Sequence, residues 1–168
     1  MRRAAIALGI LGGAAAAAAA QDGSTVLDIL PAPVREATWC AEEGPGFATR
    51  RSFAGFTVFA VQCPGNNANF IEAVVVADDE GGTNARALVF PTPDPASPDV
   101  PYDTLSNIRW LDGGVLGEVA VDPEVTDGPC RHEAQWRLEG ARPDPKLIFW
   151  RETTDCDGDG GWVVRVAE

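Results

Sequence analysis

The residues with the clearest chemical pattern lie near the C-terminus, where Asp155, Asp157 and Asp159 occupy alternate positions and a glycine follows them. Alternating carboxylates before a glycine are how a calcium-binding loop of the helix-loop-helix kind begins. Counting from Asp155, however, position 12 is Val166, where such a loop carries a bidentate glutamate. The flanking segments are also β-like rather than helical. We therefore interpret the stretch as a turn, with a weak extracellular calcium site at the three aspartates as the alternative.

Few other groups are suited to catalysis. The only histidine is His132, and no serine after residue 20 lies in a G-x-S-x-G nucleophile turn. We interpret His132, at the start of a predicted strand, as a surface or packing residue rather than a base. A carboxylate pair for glycoside cleavage stays open, because such a pair is defined by distance in the fold and nothing selects one among 25 acidic residues. We assign no catalytic residue and no cofactor.

The cysteines form two evenly spaced pairs. They are Cys40, Cys63, Cys130 and Cys156; the first two are 23 positions apart and the last two are 26 positions apart. An even count in an exported chain is typical of two disulfides. Zinc binding is the alternative, but the sequence has no C-x-x-C pair and one histidine only.

An internal repeat indicates which cysteines pair. Each cysteine is followed six or seven positions later by an aromatic residue: Phe47, Phe70, Trp136 and Trp162. After the second cysteine of each pair come a glycine, a polar turn and an apolar strand, which suggests a twofold repeat of a β-meander. We therefore predict bonds from Cys40 to Cys63 and from Cys130 to Cys156, each stabilising the fold by about 3 kcal/mol. Chance similarity in a glycine-rich chain is the alternative.

The N-terminus has the layout of a secretory signal peptide. Two arginines precede an uncharged apolar run from Ala4 to Ala20. We predict cleavage near Ala20, since 17 residues that are mostly Ala and Gly make a poor membrane anchor, which is the alternative. Residues 21–38 then form an N-terminal extension and residues 39–168 a single β domain. The protein is expected in the periplasm of a Gram-negative bacterium or secreted.

Apolar and β-branched runs bounded by turn clusters predict short strands. The runs are 56–62, 69–77, 85–90, 132–139, 146–153 and 161–166. Residues 104–122 predict a hairpin around a D-G-G turn, with Val115, Val119 and Val121 on one face. Residues 91–101, with five prolines, form a stiff connection. We predict an all-β fold, an antiparallel sandwich or small barrel built from two similar disulfide-closed meanders, with the Trp and Phe rings in its core.

The charge narrows the choice of partner. The chain has 25 acidic and 13 basic residues, a net charge of −12 that becomes −14 without residues 1–20. Binding to nucleic acid or to anionic membranes rests on Lys and Arg, so neither is expected, and no membrane insertion is expected after cleavage. A cationic protein partner is compatible with this charge, although surplus negative charge also keeps proteins soluble. The oligomeric state does not follow from the sequence.

The spacing of Cys, Trp and Gly resembles a known family over residues 36–168. The matching positions are L-D-G-G-x-L at Leu111–Leu116, G-x-C at Gly128–Cys130, Trp136 with Leu138 and Gly140, Cys156, Trp162, and Q-C-P-G-N-N-A-N-F at Gln62–Phe70. They resemble the exported bacterial family labelled domain of unknown function 1176. The resemblance implies an exported, disulfide-bonded domain with no established activity, and it carries over no catalytic residue.

Two functions from different classes remain. The first is a non-catalytic exported envelope protein that binds a cationic protein, such as a lysozyme-like hydrolase. The alternative is a small carboxylate-dependent hydrolase acting on envelope glycan.

Overall fold

The computed structural model describes residues 24–41, 47–53, 55–64, 69–93, 102–122, 124–125, 127–158 and 160–168. The predicted signal peptide and residues 94–101 of the Pro-rich connection lie outside the described residues, as does Asp159.

The first of two antiparallel sheets holds the first half of the chain. Its strands are β1 (Thr25–Leu27), β2 (Ala48–Phe53), β3 (Phe56–Gln62), β4 (Ile71–Ala77), β5 (Arg86–Ala87) and β6 (Thr104–Ser106). The strands follow the order β1-β2-β3-β4-β5, and β6 also pairs with β4. Both β5 and β6 lie along one edge of β4, β6 beside its start and β5 beside its end.

The second sheet holds the rest of the described chain. Its strands are β7 (Arg109–Trp110), β8 (Val115–Val121), β9 (Arg131–Glu139), β10 (Asp144–Thr153) and β11 (Val163–Ala167). They lie in reverse chain order, β11-β10-β9-β8-β7, as expected for strands joined by short turns. A 3₁₀ turn, Asp112–Gly114, joins β7 to β8.

The sheets pack face to face as a sandwich, and they do not close into a barrel within the described part of the chain. The shared core contains Val58, Val74, Val76, Leu88, Phe90 and Leu105 from the first half and Leu116, Ala134, Trp136, Leu138 and Trp150 from the second. Trp136 is fully buried there, and its indole N–H donates a 2.8 Å hydrogen bond to the carbonyl of Pro91. This bond satisfies the one polar group that a buried tryptophan carries.

The N-terminal extension covers the outer face of the first sheet. The helix α1 (Ala32–Glu36) and a 3₁₀ turn (Trp39–Ala41) place Val34 and Cys40 against Phe59 and Val75 in a second apolar cluster. The central strands β3 and β4 of the first sheet are therefore buried on both faces. This explains why β3 and β4 read in the sequence as nearly continuous apolar runs.

The predicted disulfides are confirmed, and they have equivalent places in the two halves. Cys40 bonds to Cys63 and Cys130 to Cys156. In each half the first cysteine precedes a hairpin, β2–β3 or β9–β10, and the second cysteine follows it. A third strand, β4 or β11, then pairs with the second strand of the hairpin. The fold is thus all-β and contains two similar meanders, each closed by its own bridge.

The predicted hairpin over residues 104–122 is only half right. Its D-G-G turn does join β7 to β8, but β6 pairs with β4 of the first sheet. The chain crosses between the sheets at Asn107, which adopts a positive φ of 50°. Asparagine tolerates this left-handed conformation better than most residues, so a single residue can redirect the chain.

Candidate binding site

The acidic turn near the C-terminus uses its first carboxylate to hold its own backbone. The two carboxylate oxygens of Asp155 accept hydrogen bonds from the backbone N–H groups of Gly158 (2.9 Å) and Gly160 (3.3 Å). Asp157 is exposed, and Asp159 lies outside the described residues. No group of three metal-ligating side chains occurs in the described part of the chain. Asp155 therefore acts as a turn former, and calcium binding that includes Asp159 stays a prediction.

A carboxylate is buried in the interface between the sheets. Glu118 points inward from β8, and its side chain is fully buried. The Tyr102 hydroxyl lies 2.7 and 2.8 Å from its two oxygens, the Ser106 N–H donates to it over 2.6 Å, and Nε2 of His132 lies 3.1 Å away. A buried carboxylate is tolerated only when such donors replace water. Through Glu118 the network joins Tyr102 and Ser106, which come from the segment before β7, to His132 on β9 of the second sheet.

His132 is locked into this network. Its ring stacks on Trp150 with the ring centres 4.4 Å apart and the planes 11° apart. Burial, followed by the neighbouring Glu118, raises the pKa of the Tyr102 hydroxyl, which therefore stays a donor. Among the described residues no serine or threonine hydroxyl hydrogen-bonds His132, so there is no preformed nucleophile and base pair.

A second carboxylate that points toward the core, that of Glu72, has far fewer hydrogen bonds to replace the water it loses on burial. Glu72 lies on β4, opposite Gln62 on β3 and Leu105 on β6. Its one hydrogen bond within the described residues is a 3.3 Å contact from the backbone N–H of Ile108. Burial raises the pKa of Glu72 from 4.5 to about 7, and the bond from Ile108 offsets only part of this effect. Among the carboxyl groups with resolved pKa shifts, Glu72 is the one whose charged form the fold disfavours.

Glu72 forms part of the lining of a depression of about 440 Å³ at one open end of the sandwich, here called the Glu72 depression. The other described residues of its lining are Phe47, Gln62, Phe70, Asn107, Ile108 and Arg109. The depression therefore combines mainly apolar walls with one carboxylate that lacks a strong partner. Among the described residues of this lining Glu72 is the one acidic side chain, so these residues do not supply the pair of carboxylates that glycoside cleavage uses.

The frame of the Glu72 depression is held rigidly. The amide N–H₂ groups of Asn69 and Asn107 donate 2.8 Å hydrogen bonds to the carbonyls of Val121 and Val119, along the edge of β8. The Asn107 side-chain oxygen accepts from the N–H of Phe70, and the Asn107 N–H donates back to the Phe70 carbonyl. These bonds fix the sheet crossover, and with it Phe70, relative to β8.

The aromatic residues that follow the cysteines have different surroundings in the two halves. Phe47 and Phe70 are 75% and 68% exposed, although the sequence predicts core positions. Their counterpart Trp136 is fully buried, and the ring of Trp162 lies 4.3 Å from the guanidinium carbon of Arg151. The aromatic rings that follow the cysteines are thus exposed in the first copy of the repeat, whereas in the second copy they pack against other side chains. Exposed phenylalanines beside a cavity are typical of binding surfaces.

Sequence reasoning missed both inward carboxylates. Glu72 interrupts the apolar run I-E-A-V-V-V-A, and Glu118 lies in G-E-V-A-V between valines. A lone charge inside an otherwise buried strand is a usable signal, because a charged residue is almost never buried without a specific partner or role.

No helix within the described residues combines the length and apolarity that crossing a bilayer requires.

Comparisons of the chain with known protein families, with curated proteins and with solved structures found no match. The resemblance to the family labelled domain of unknown function 1176 stays a prediction.

Proposed function

We propose that the protein is a non-catalytic exported binding module that holds a cationic side chain of a partner protein in the Glu72 depression. The observation that carries this proposal is the state of Glu72: a partly buried carboxylate with one long hydrogen bond, in a depression that is also lined by the exposed rings of Phe47 and Phe70. An arriving ammonium or guanidinium group would supply the missing partner. The net charge of −12 would add long-range attraction for a basic protein.

The shape and composition of the Glu72 depression favour a protein segment. The exposed rings of Phe47 and Phe70 can pack against the aliphatic stem of a Lys or Arg side chain, while its charged end reaches Glu72. Aromatic anchors around a desolvated polar contact are the arrangement that dominates the energy of protein interfaces. Arg109 in the same lining would repel a bound cation, so removing its charge should have the opposite effect on binding to removing the charge of Glu72.

The covalent structure supports an oxidising compartment. Two disulfides persist in an oxidising environment, which supports export. Together with the predicted signal peptide, the disulfides support the proposal that the protein acts in the periplasm of a Gram-negative bacterium or outside the cell. The partner would be a basic envelope protein, such as a lysozyme-like hydrolase. We do not propose the glycan hydrolase, because no observation on the described residues favours it.

The proposal is tested by affinity capture from a periplasmic extract at low and high salt, with mass-spectrometric identification of retained proteins. We expect the wild-type protein to retain one or more basic proteins at low salt, and Glu72→Gln to bind them about tenfold or more weakly. Arg109→Gln should bind at least as well as wild type, because it removes a repulsive charge.

Glu36→Gln is the matched control, since Glu36 is exposed on α1 and outside the depression. Retention of no basic protein at low salt would exclude the function. Equal retention by Glu72→Gln and wild type would exclude the Glu72 depression as its site.

A further inference from the structure

The two disulfide bridges differ in how far solvent reaches their sulfur atoms. Cys40 and Cys63 are both buried, with 2% and 3% exposure, and they belong to the apolar cluster on the outer face of the first sheet. In the second bridge Cys130 is 2% exposed, whereas Cys156 is only half-buried. An exposed disulfide is reduced more readily than a buried one, because a thiolate must reach one of its sulfur atoms to break it.

Cys156 lies within the exposed acidic turn that follows β10. Thr154 and Asp155 before it and Asp157 after it are exposed. A thiolate in solution can therefore approach the sulfur of Cys156, while burial shields that of Cys130. Of the four cysteines in the two bridges, Cys156 is thus the one that offers a point of attack.

The charges around Cys156 influence which thiols react with it. Asp155 and Asp157 are its immediate neighbours in the chain, so a negatively charged thiol is repelled and a positively charged one is attracted. The guanidinium of Arg131 donates a 3.3 Å hydrogen bond to a backbone carbonyl of this turn, but it also lies 3.9 Å from the Glu133 carboxylate. This one shared cation offsets the two carboxylates only in part.

The fold around the second bridge has other links that survive its reduction. The Cys130 N–H donates to the Thr153 carbonyl over 3.1 Å, beside the long ladder between β9 and β10. The Thr153 hydroxyl in turn donates to the Gly160 carbonyl over 2.8 Å and holds the turn against the end of β10. The first bridge, by contrast, ties a 3₁₀ turn to the sheet inside an apolar cluster. Reduction of the second bridge is therefore compatible with an intact sandwich.

We propose that the Cys130–Cys156 bridge is a redox-active site, which an exported protein dithiol reduces by attack at Cys156, and that the Cys40–Cys63 bridge is inert. A thiolate of the reductant bonds to the sulfur of Cys156, the bond between Cys156 and Cys130 breaks, and the sulfur of Cys130 takes the electron pair and a proton. The second thiol of the reductant then displaces the sulfur of Cys156, which takes the other proton. The reductant is left with a disulfide and this protein with two thiols. The site does not depend on the docking of a protein at the Glu72 depression.

The selectivity is tested with dithiothreitol as the dithiol, acting on the full exported chain in its oxidised form without denaturant. Free thiols are alkylated with N-ethylmaleimide at intervals and located by peptide mass spectrometry. We expect Cys130 and Cys156 to become alkylated about tenfold or more faster than Cys40 and Cys63, while the far-ultraviolet circular dichroism spectrum is unchanged. In concentrated guanidinium chloride both bridges should be reduced at similar rates, because burial no longer distinguishes them.

Monothiols of opposite charge locate the point of attack. With cationic cysteamine we expect a mixed disulfide at Cys156, trapped by alkylation of Cys130, and a faster reaction than with anionic mercaptopropionate. Asp157→Asn should reduce the ratio of the two rates, whereas Glu36→Gln, which changes the net charge equally, should leave it unchanged. The ratio is compared between variants, so the intrinsic reactivities of the two thiols cancel.

Three results would overturn the proposal. They are equal rates of reduction for the two bridges in the folded protein, a mixed disulfide at Cys130 instead of Cys156, and loss of the circular dichroism spectrum as the second bridge is reduced. A rate ratio that is the same in Asp157→Asn and wild type would also contradict attack within the acidic turn.

Discussion

The cost of keeping Glu72 partly buried can be measured as pH-dependent stability. Burial raises its pKa from 4.5 to about 7, so between these pH values the folded protein keeps a proton that the unfolded chain releases. A group that binds its proton more tightly in the folded state makes the free energy of unfolding fall as pH rises. The loss begins near pH 4.5 and is complete above pH 7.

The size of the effect follows from the shift. Each pKa unit corresponds to about 1.4 kcal/mol, so Glu72 would lower the free energy of unfolding by about 3 kcal/mol at most between pH 4 and pH 8. Glu72→Gln has nearly the same shape and no titrating proton. We therefore expect the variant to match wild type within about 1 kcal/mol at pH 4 and to be more stable by about 2–3 kcal/mol at pH 8.

Urea denaturation of wild type and Glu72→Gln at pH 4, 5, 6, 7 and 8, followed by tryptophan fluorescence, measures this difference. The other titrating groups are common to both proteins, so they cancel when the two curves are subtracted. Glu36→Gln, which replaces an exposed carboxylate, should follow wild type at every pH. A difference between wild type and Glu72→Gln that does not change with pH would refute the reasoning, as would a variant less stable at pH 8.

Three further changes test the packing. Tyr102→Phe removes a donor from the buried Glu118 carboxylate and should lower the free energy of unfolding by about 1.5–3 kcal/mol in urea; a loss under about 0.5 kcal/mol would contradict the network. Gly82→Ala should cost about 2–4 kcal/mol, because Gly82 has a φ of +86° and a Cβ there would lie 2.9 Å from a valine methyl of α1; a Tm equal to wild type would contradict this contact. Replacing both Cys40 and Cys63 by serine should cost about 3 kcal/mol, and a far-ultraviolet circular dichroism melt that is unchanged would contradict a stabilising bridge.

Covalent and periodic features were predictable from the sequence. The spacing of the four cysteines and the turn that follows each pair indicate both the bridges and the duplicated meander. Local patterns suffice here, because each bridge closes a single hairpin of neighbouring strands. Strands β3, β4, β9 and β10 could likewise be predicted, because each corresponds to a local run of apolar residues bounded by turns.

Features set by contacts between the sheets were not predictable. β2, with the sequence A-T-R-R-S-F, has two arginines and no apolar alternation, and it is a strand because β1 and β3 flank it. The valines at 115, 119 and 121 share a face of β8, but the buried face is that of Leu116 and Glu118. A carboxylate is expected to face solvent unless its hydrogen-bond donors are known. The burial of Glu118 could not be predicted, because its partners Tyr102 and His132 come from distant segments of the chain.

The measurement that tests the proposed docking site most directly is titration of the Glu72 side-chain carboxyl by ¹³C NMR, in the free protein and in complex with the basic protein that it captures. We predict a pKa of about 7 in the free protein and a clear fall in that pKa in the complex, because a cation beside the carboxylate favours its charged form. A pKa that does not change when the basic protein binds would contradict the claim that Glu72 receives its cationic side chain.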